Sequence, residues 1–551
     1  MRKFFLTCAL LGALPLAAIA QAAKPVKTAM TAKLSPAAVK SAEVITAAEM
    51  RDYLYFIASD ALEGRDTPSR GLDSAAEFIR FHLSRWGVKP GGDNGTYFQN
   101  IWLSRRKMGE SKVTLGGKSY KVNDDFLAFR FSAGDLSAPL VYAGNGWMVK
   151  AKNIDAFNGL DVKDKIVVVT TNLRTGGRPA GVTDEDLKGA KGTDWADPAA
   201  YAKAKGAKAI ILTLSAGEYG NWQQYRRFLG GGGRFRVDGN AGEENDIPAL
   251  IANKEMTEAL FAGEATSGAD IMARADKGET VASFALKADK NAEISLKGEV
   301  ERAKTQNVVG ILEGSDPTLK SEYVAIGAHY DHVGIGNCSG VTPADNICNG
   351  ADDDGSGTVA VLNLAHAFAM SNPRPKRSII FIWHCGEEKG LWGSEYFVEH
   401  PTVPLASIVT QLNIDMIGRS RKPDDTNKRN DNLSGPKEIY VIGSKLMSTE
   451  LGALSERVNA SYLNFGFNYK YDDPNDTERF FYRSDHYNYA KKGIPIIFYF
   501  DGVHQDYHGA GDHPDKIDYD KMEMVTRTVF MTGWEIANAA KRPTVDKKLD
   551  R

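Results

Sequence analysis

The spacing of apolar positions changes character three times along the chain. Residues 47–65 (AAEMRDYLYFIASDALEGR) and 72–92 (LDSAAEFIRFHLSRWGVKPGG) place apolar side chains three and four apart, and Gly87 followed by Pro90 stops the second run. The pattern predicts two helices flanking the loop LEGRDTPSRG. Between residues 136 and 291, short Val/Ile runs such as KIVVVT (165–170) and AIILTL (209–214) alternate with Gly-rich loops, with one helical pattern at 197–209. This texture predicts a compact, β-rich insert. From residue 292 to 540 the runs NVVGILEG, YVAIGAH, RSIIFIWHC, VTQLNID and IPIIFYF alternate with helical stretches such as GSGTVAVLNLAHAFAM. Continuous apolar runs suit strands covered on both faces, so this part reads as α/β, a mixed and mostly parallel sheet sandwiched by helices. The segment 46–135 belongs with it, and the charged tail 541–551 is expected to fray.

The N-terminus changes the picture of where the protein works. Arg2 and Lys3 precede an apolar stretch from Phe4 to Ala20, interrupted by Pro15, with small residues at Ala18, Ala20 and Ala22. That is the layout of a signal peptide over residues 1–22, too short for a membrane span, followed by a linker at 23–45. The expectation is an exported protein, periplasmic or secreted. Cleavage leaves Cys338, Cys348 and Cys385 in an oxidising compartment. A Cys338–Cys348 disulfide within the loop between His329 and Asp353, with Cys385 as a buried thiol, follows from that setting.

Composition narrows the partners. The 551 residues are 42% hydrophobic and 25% charged, which excludes a disordered or fibrous chain. Lys and Arg (68) nearly cancel Asp and Glu (70), so no broad basic field invites nucleic acid. The run Gly230 to Gly233 lacks the Gly-Lys-Ser/Thr that a phosphate loop needs and reads as a flexible loop.

Nine of the ten histidines lie after residue 328, together with acidic clusters. YVAIGAH delivers His329 and Asp331 at its carboxyl end, NGADDDGSG places Asp352, Asp353 and Asp354 before a helix, RSIIFIWHC runs into Gly386, Glu387 and Glu388, and VTQLNID ends at Asp415. In an open α/β sheet these strand ends converge on one edge. All are zinc-binding types. Neighbouring strand side chains point to opposite faces, so Glu387 and Glu388 share a site only because Gly386 ends the strand. One glutamate can then hold metal while the other handles the proton of water.

On these residues the chain resembles the co-catalytic di-zinc aminopeptidase family, which also contains aminopeptidase Y, glutamate carboxypeptidase and glutaminyl cyclase. HYDHVG (329–334), NGADDDGSG (349–357), CGEEKGLWGS (385–394), NIDMIG (413–418), RSDHYNYAKKGIP (483–495) and DYHGAGDHPDKID (506–518) follow the family's motif series in order. LEGRDTPSRG resembles its N-terminal helical segment, and GLDVKDKIVVV with AKAKGAKAIIL its protease-associated insert, here residues 136–291.

The resemblance implies the zinc-exopeptidase fold and two Zn2+ ions bridged by Asp353, one also taking His329 and Asp415, the other Glu388 and His508. It implies Glu387 as general base, Asp331 as the carboxylate that orients the ligand imidazole, Tyr507 as an oxyanion donor and a cis peptide at Asp353–Asp354. The family's usual Tyr-His-Thr is replaced here by Tyr507, His508 and Gly509, which keeps His504 and His513 as rival ligands. Asp485 and His486 are expected to be structural. Manganese or cobalt also suits such mixed His/carboxylate sites.

The implied substrate is a peptide or protein with a free N-terminus, with Asp352, Asp354 and Asp506 as negative charge for its amine. Relatives on this scaffold also include carboxypeptidases, glutaminyl cyclases and inactive receptors. Arg226, Arg227, Arg234 and Arg236 would provide a carboxylate site if the insert's loop folded inward.

Overall fold

The computed structural model describes residues 33–130, 133–173, 177–230, 234–238 and 247–548. The signal peptide, the first part of the linker and Gly231 to Gly233 lie outside the described residues.

Two large sheets organise the chain. The first runs in the order Arg236–Val237, Phe98–Met108, Gly298–Leu312, Ser378–His384, Tyr323–His329, Ile408–Ile414, Ile496–Phe500, Glu438–Ile442, Gly466–Asn468. Its four central strands, from Ser378–His384 to Ile496–Phe500, are mutually parallel. Antiparallel strands flank them on both sides. Ser378–His384 and Ile408–Ile414 are buried at every position, as continuous apolar runs require. One face packs on a core that includes Phe368, Phe381, Leu412 and Trp534, the other on one that includes Ile380, Phe397, Tyr489 and Phe498. The fold is therefore the expected mixed α/β sandwich.

The N-terminal helices form as predicted but stop earlier. Thr46 and Ser69 cap them by accepting the N–H of Glu49 (3.2 Å) and Leu72 (3.1 Å). The first spans Ala47–Ile57 rather than reaching residue 65. After it, Glu63 and Gly64 adopt left-handed geometry that carries Arg65 inward. The second helix, Arg70–Arg85, buries Leu72, Ile79 and Leu83. Gly87 at φ 72° ends that turn, and Lys89–Pro90 pairs with the strand at Gly310 and Ile311.

The second sheet joins strands between Lys112 and Leu296 and has two cores of its own. Its strands begin before residue 136, because 112–115 and 126–130 pair with later segments and 118–121 pairs with 112–115. The sequence suggested one helix here. Pro198–Ala204 is joined by Trp222–Leu229, Lys254–Leu260 and Gly268–Asp276. These are too short for a sustained period to stand out, but Asn253 and Ser267 cap the last two.

The tail is not frayed over its described part. Arg542 donates to Ala406 O (2.7 Å), and Asp546 accepts from the Thr449 N–H (2.9 Å). No helix among the described residues is long and apolar enough to cross a membrane.

Candidate metal centre

Parallel register brings three strand ends to one edge. His329 closes its strand opposite His384, and the next strand out ends just before Asp415. After Cys385 the chain turns at Gly386, whose φ is 67°, and a Cβ there would meet the Trp392 ring at 3.0 Å. Only glycine fits that turn. It presents Glu387 and Glu388 together, as expected.

His329 Nε2 lies 3.3 Å from Asp353 Oδ1 and 3.6 Å from Asp415 Oδ1. His508 Nε2 lies 3.1 Å from Asp353 Oδ2 and 3.0 Å from Glu388 Oε2. Each oxygen of Asp353 thus faces a different imidazole. The peptide bond between Asp353 and Asp354 is cis, as in the expectation.

Of the two rival histidines, His504 turns its Nε2 to Asp352 Oδ2 (3.3 Å) and His513 faces Asp345 (3.4 Å), both away from this cluster. Asp354 comes within 4.8 Å of His329 and Asp415. Its oxygens, however, accept the backbone N–H groups of His329 (3.2 Å), Gly357 (2.9 Å) and Met416 (3.1 Å), so it ties strand ends together.

Asp331 is divided between two tasks. Its carbonyl is 3.1 Å from His329 Nδ1, closer than its carboxylate at 3.7 Å. The carboxylate accepts the Glu387 N–H at 3.1 Å and so fixes the Glu387 turn to the His329 loop. Tyr507 stacks on His508, centroids 4.1 Å apart.

A cavity of about 40 Å3 is lined by His329, Asp353, Glu387, Asp415, Tyr507 and His508 together with Met416, Phe480, Phe498, Phe500 and Val503. Arg483 also lines it, its guanidinium 4.6 Å from the Phe480 ring. Arg226 instead pairs with Asp124 (3.1 Å). Arg234 and Arg236 do not line the cavity. The side chain of Arg227 lies outside what is described.

The extra acids proposed for the amine are committed elsewhere. Asp352 accepts the Gly418 N–H (2.7 Å) and Asp506 holds Arg419 (2.8 Å) and Lys516 (3.1 Å). The acids that line the cavity are Asp353, Asp415 and Glu387 instead.

No role for Arg65, Asp512 or His332 was read from the sequence. Arg65 is fully buried and donates to the carbonyls of Ile57 (2.6 Å), Asn349 (2.7 Å), Tyr330 (2.9 Å) and Gly350 (2.9 Å), tying both ligand loops to the N-terminal segment. Its place in LEGRDTPSRG was its only signal. Asp512 accepts the N–H groups of Asp352 (2.9 Å) and Asp353 (3.1 Å), while its other oxygen is 3.4 Å from Arg419. The fully buried His332 lies 2.8 Å from Glu388 Oε1. Asp485 and His486 do not line the cavity: Asp485 faces His384 (3.3 Å), and His486 stacks on Phe498 at 4.4 Å.

The donor set fits a cation. Asp331 Oδ2, Asp353 Oδ2, Glu388 Oε1 and both His332 nitrogens are buried without a hydrogen bond. Burial pushes the Glu387 carboxyl well above the usual range, with Glu388, Asp415 and Asp485 adding to it against the pull of His329. Burial also raises Asp415, with Asp353 adding to it. So many buried acids need compensating positive charge, and imidazole with carboxylate at these separations suits zinc.

Residues 307–533 match peptidase family M28. Leucine aminopeptidase 2 of Arthroderma otae is 24% identical over 299 residues, 49% of this chain and 53% of that protein. A probable zinc metalloprotease of Pyrenophora teres f. teres is 29% identical over 267 residues, 43% and 52% of the two chains. This chain spans about half the length of the curated relatives it matches. Among solved structures, an aminopeptidase from Aneurinibacillus sp. strain AM-1 is similar with 17% identity and a TM-score of 0.48 over 93% of this chain and 98% of that one. A zinc aminopeptidase from Bacillus subtilis gives 18% identity and 0.48 over 92% and 99%. Every candidate metal ligand falls inside the segment, residues 307–533, that matches peptidase family M28.

Proposed function

We propose that the chain is an exported di-zinc aminopeptidase that removes N-terminal residues from peptides. The observation that carries this reading is Asp353 offering one oxygen towards His329 and Asp415 and the other towards His508 and Glu388, with Glu387 on the same cavity. The first sheet with its helices would form the peptidase domain, and the second sheet, between residues 112 and 296, a protease-associated insert. A disulfide between Cys338 and Cys348 supports export, since such bonds persist in oxidising compartments. Two zinc ions, when bound, would lower the pKa of water from about 16 towards 7 and polarise a carbonyl.

The remaining work falls to the chain's own side chains. Glu387, its main chain anchored by Asp331, takes the proton of the attacking water and returns it to the leaving amine. Tyr507, at the cavity wall, donates its phenol to the developing oxyanion. The carboxylates facing the cavity hold the free amine. Met416, Phe480, Phe498, Phe500 and Val503 exclude water and receive an apolar side chain.

One observation favours a carboxypeptidase, namely Arg483 among the residues that line the cavity. A single arginine is less than the cluster such a site favours. The test is a pentapeptide, its N-acetyl form and its C-terminal amide, each with and without a chelator. Acetylation is expected to abolish cleavage, amidation to leave it, and chelation to stop it. Cleavage of the acetylated peptide from its carboxyl end, with the amide inert, would replace the aminopeptidase reading by the carboxypeptidase one.

A further inference from the structure

The fold grips Glu387 by its main chain. Its N–H donates to Asp331 Oδ1 (3.1 Å), and its carbonyl accepts the N–H groups of Gly390 and Leu391 (both 2.9 Å). Among the described residues none makes a hydrogen bond or an ion pair with its carboxylate. A side chain with no anchor of its own takes its place from the backbone that carries it, so what fixes that backbone fixes the carboxylate.

Three consecutive N–H groups leave the strand Ser378–His384 at its end, and each is accepted by a side chain from a different segment. Cys385 donates to Asn307 Oδ1 (3.0 Å), Gly386 to Thr67 Oγ1 (3.1 Å) and Glu387 to Asp331 Oδ1. These donors are past the ladder, and a buried N–H without an acceptor is rare. Asn307 belongs to the sheet itself, where it also donates to Gln99 Oε1 (2.9 Å) and Gly393 O (2.8 Å). Thr67 comes from outside the sheet, in LEGRDTPSRG, and is only 3% exposed. Its neighbour Asp66 pairs with Lys389 at 2.5 Å. Asp66 and Thr67 therefore hold the turn on either side of the glutamate pair.

We infer that Thr67 is a positioning residue for Glu387: its Oγ1 accepts the Gly386 N–H and fixes the peptide plane from which Glu387 enters the cavity. Gly386, at φ 67°, has no Cβ to restrict rotation, so its orientation depends on that acceptor. The inference rests on the reading of Glu387 as general base.

The test compares Thr67→Ser, which keeps the acceptor, with Thr67→Val, which keeps the shape and loses it. Both act on the free pentapeptide at saturating zinc. Thr67→Val is expected to lower kcat by about 10- to 100-fold, the effect of a misplaced reacting group, with bound zinc unchanged and KM within about 3-fold of wild type. Thr67→Ser should stay within about 3-fold of wild type, as a retained acceptor implies. In a Glu387→Gln background Thr67→Val should cost no further turnover, because it acts through Glu387 alone. A residue that only stabilised the fold would lower both backgrounds alike. Wild-type kcat in Thr67→Val, equal losses in the serine and valine variants, or a loss that excess zinc restores overturns the inference.

Amide hydrogen exchange at Gly386 gives a reading apart from activity. It should quicken by about tenfold or more in Thr67→Val and keep the wild-type rate in Thr67→Ser, and an unchanged rate in the valine variant overturns the inference. Should valine prevent folding, Thr67→Ala carries the same expectations, and wild-type kcat or unchanged exchange in it has the same force. Full turnover in Glu387→Gln removes the inference together with its premise. Full turnover in Thr67→Val beside an impaired Glu387→Gln removes the inference alone.

Discussion

At the residue scale, adjacent glutamates take different surroundings from one turn. Glu388 meets His332 and His508, whereas Glu387 faces the cavity with its N–H on Asp331. Glu387→Gln is therefore expected to keep its zinc and lose turnover by roughly 10²- to 10⁴-fold, the range for removing a general base. Glu388→Gln should lose zinc. Metal content beside turnover decides between them, and normal turnover in the first variant would reverse the assignment. His486 makes a pH prediction. Burial lowers its pKa to about 4, and only its Nε2 has a partner, Phe481 O at 2.8 Å. Because the folded value lies below the unfolded one of about 6.5, the unfolded chain binds more protons between pH 6.5 and 4, and stability falls on acidification. The cost at pH 5 relative to pH 7 is about 2 kcal/mol. His486→Asn should show a smaller drop in melting temperature over that interval than wild type.

At the element scale, the ligand loops are stitched to one another. Cys338 and Cys348 are bonded, with Cα atoms 6.0 Å apart, at the base of a loop whose Ser339 N–H donates to His508 O (2.8 Å) and whose Ser339 O accepts the Ala510 N–H (2.8 Å). The disulfide loop is thus a brace for the segment that presents His508. Closing so short a loop stabilises by about 3 kcal/mol in the chain-entropy account. The Cys338→Ser, Cys348→Ser double variant should melt lower and release zinc faster, whereas Cys385→Ser, which lies outside the brace as a free buried thiol, should release zinc at the wild-type rate. Equal zinc release from wild type and the double variant would show that the brace does not hold His508.

At the scale of the whole molecule, two sheets with separate cores share one chain. The residues of the cores around the second sheet contribute none to those around the first. Unfolding of such a chain departs from two-state behaviour. Calorimetry is expected to resolve two transitions, and a chelator should lower only the one belonging to the sheet that carries the ligands, because a bound ion stabilises the unit that binds it. Equal shifts of both transitions would show that the two units unfold together.

What the sequence determined by itself was chemistry that follows a strand. An apolar run long enough to be buried must end at a polar edge, so His329, Glu387, Glu388 and Asp415 announced themselves by position, and Gly386 explained why two glutamates share a site. The short helices between residues 222 and 276 were hidden because two turns give no sustained period. Where His504 and His513 point was set in three dimensions, by where Asp352 and Asp345 stand. So was the fate of Asp352, Asp354 and Asp506, acids whose oxygens are taken by backbone N–H groups and cations from distant segments. Arg65 and His332 became legible only in the fold. Apart from the Ile57 carbonyl, their partners are carbonyls and one carboxylate oxygen brought near them by chain closure over tens to hundreds of residues, and no local pattern of residue types encodes such a meeting.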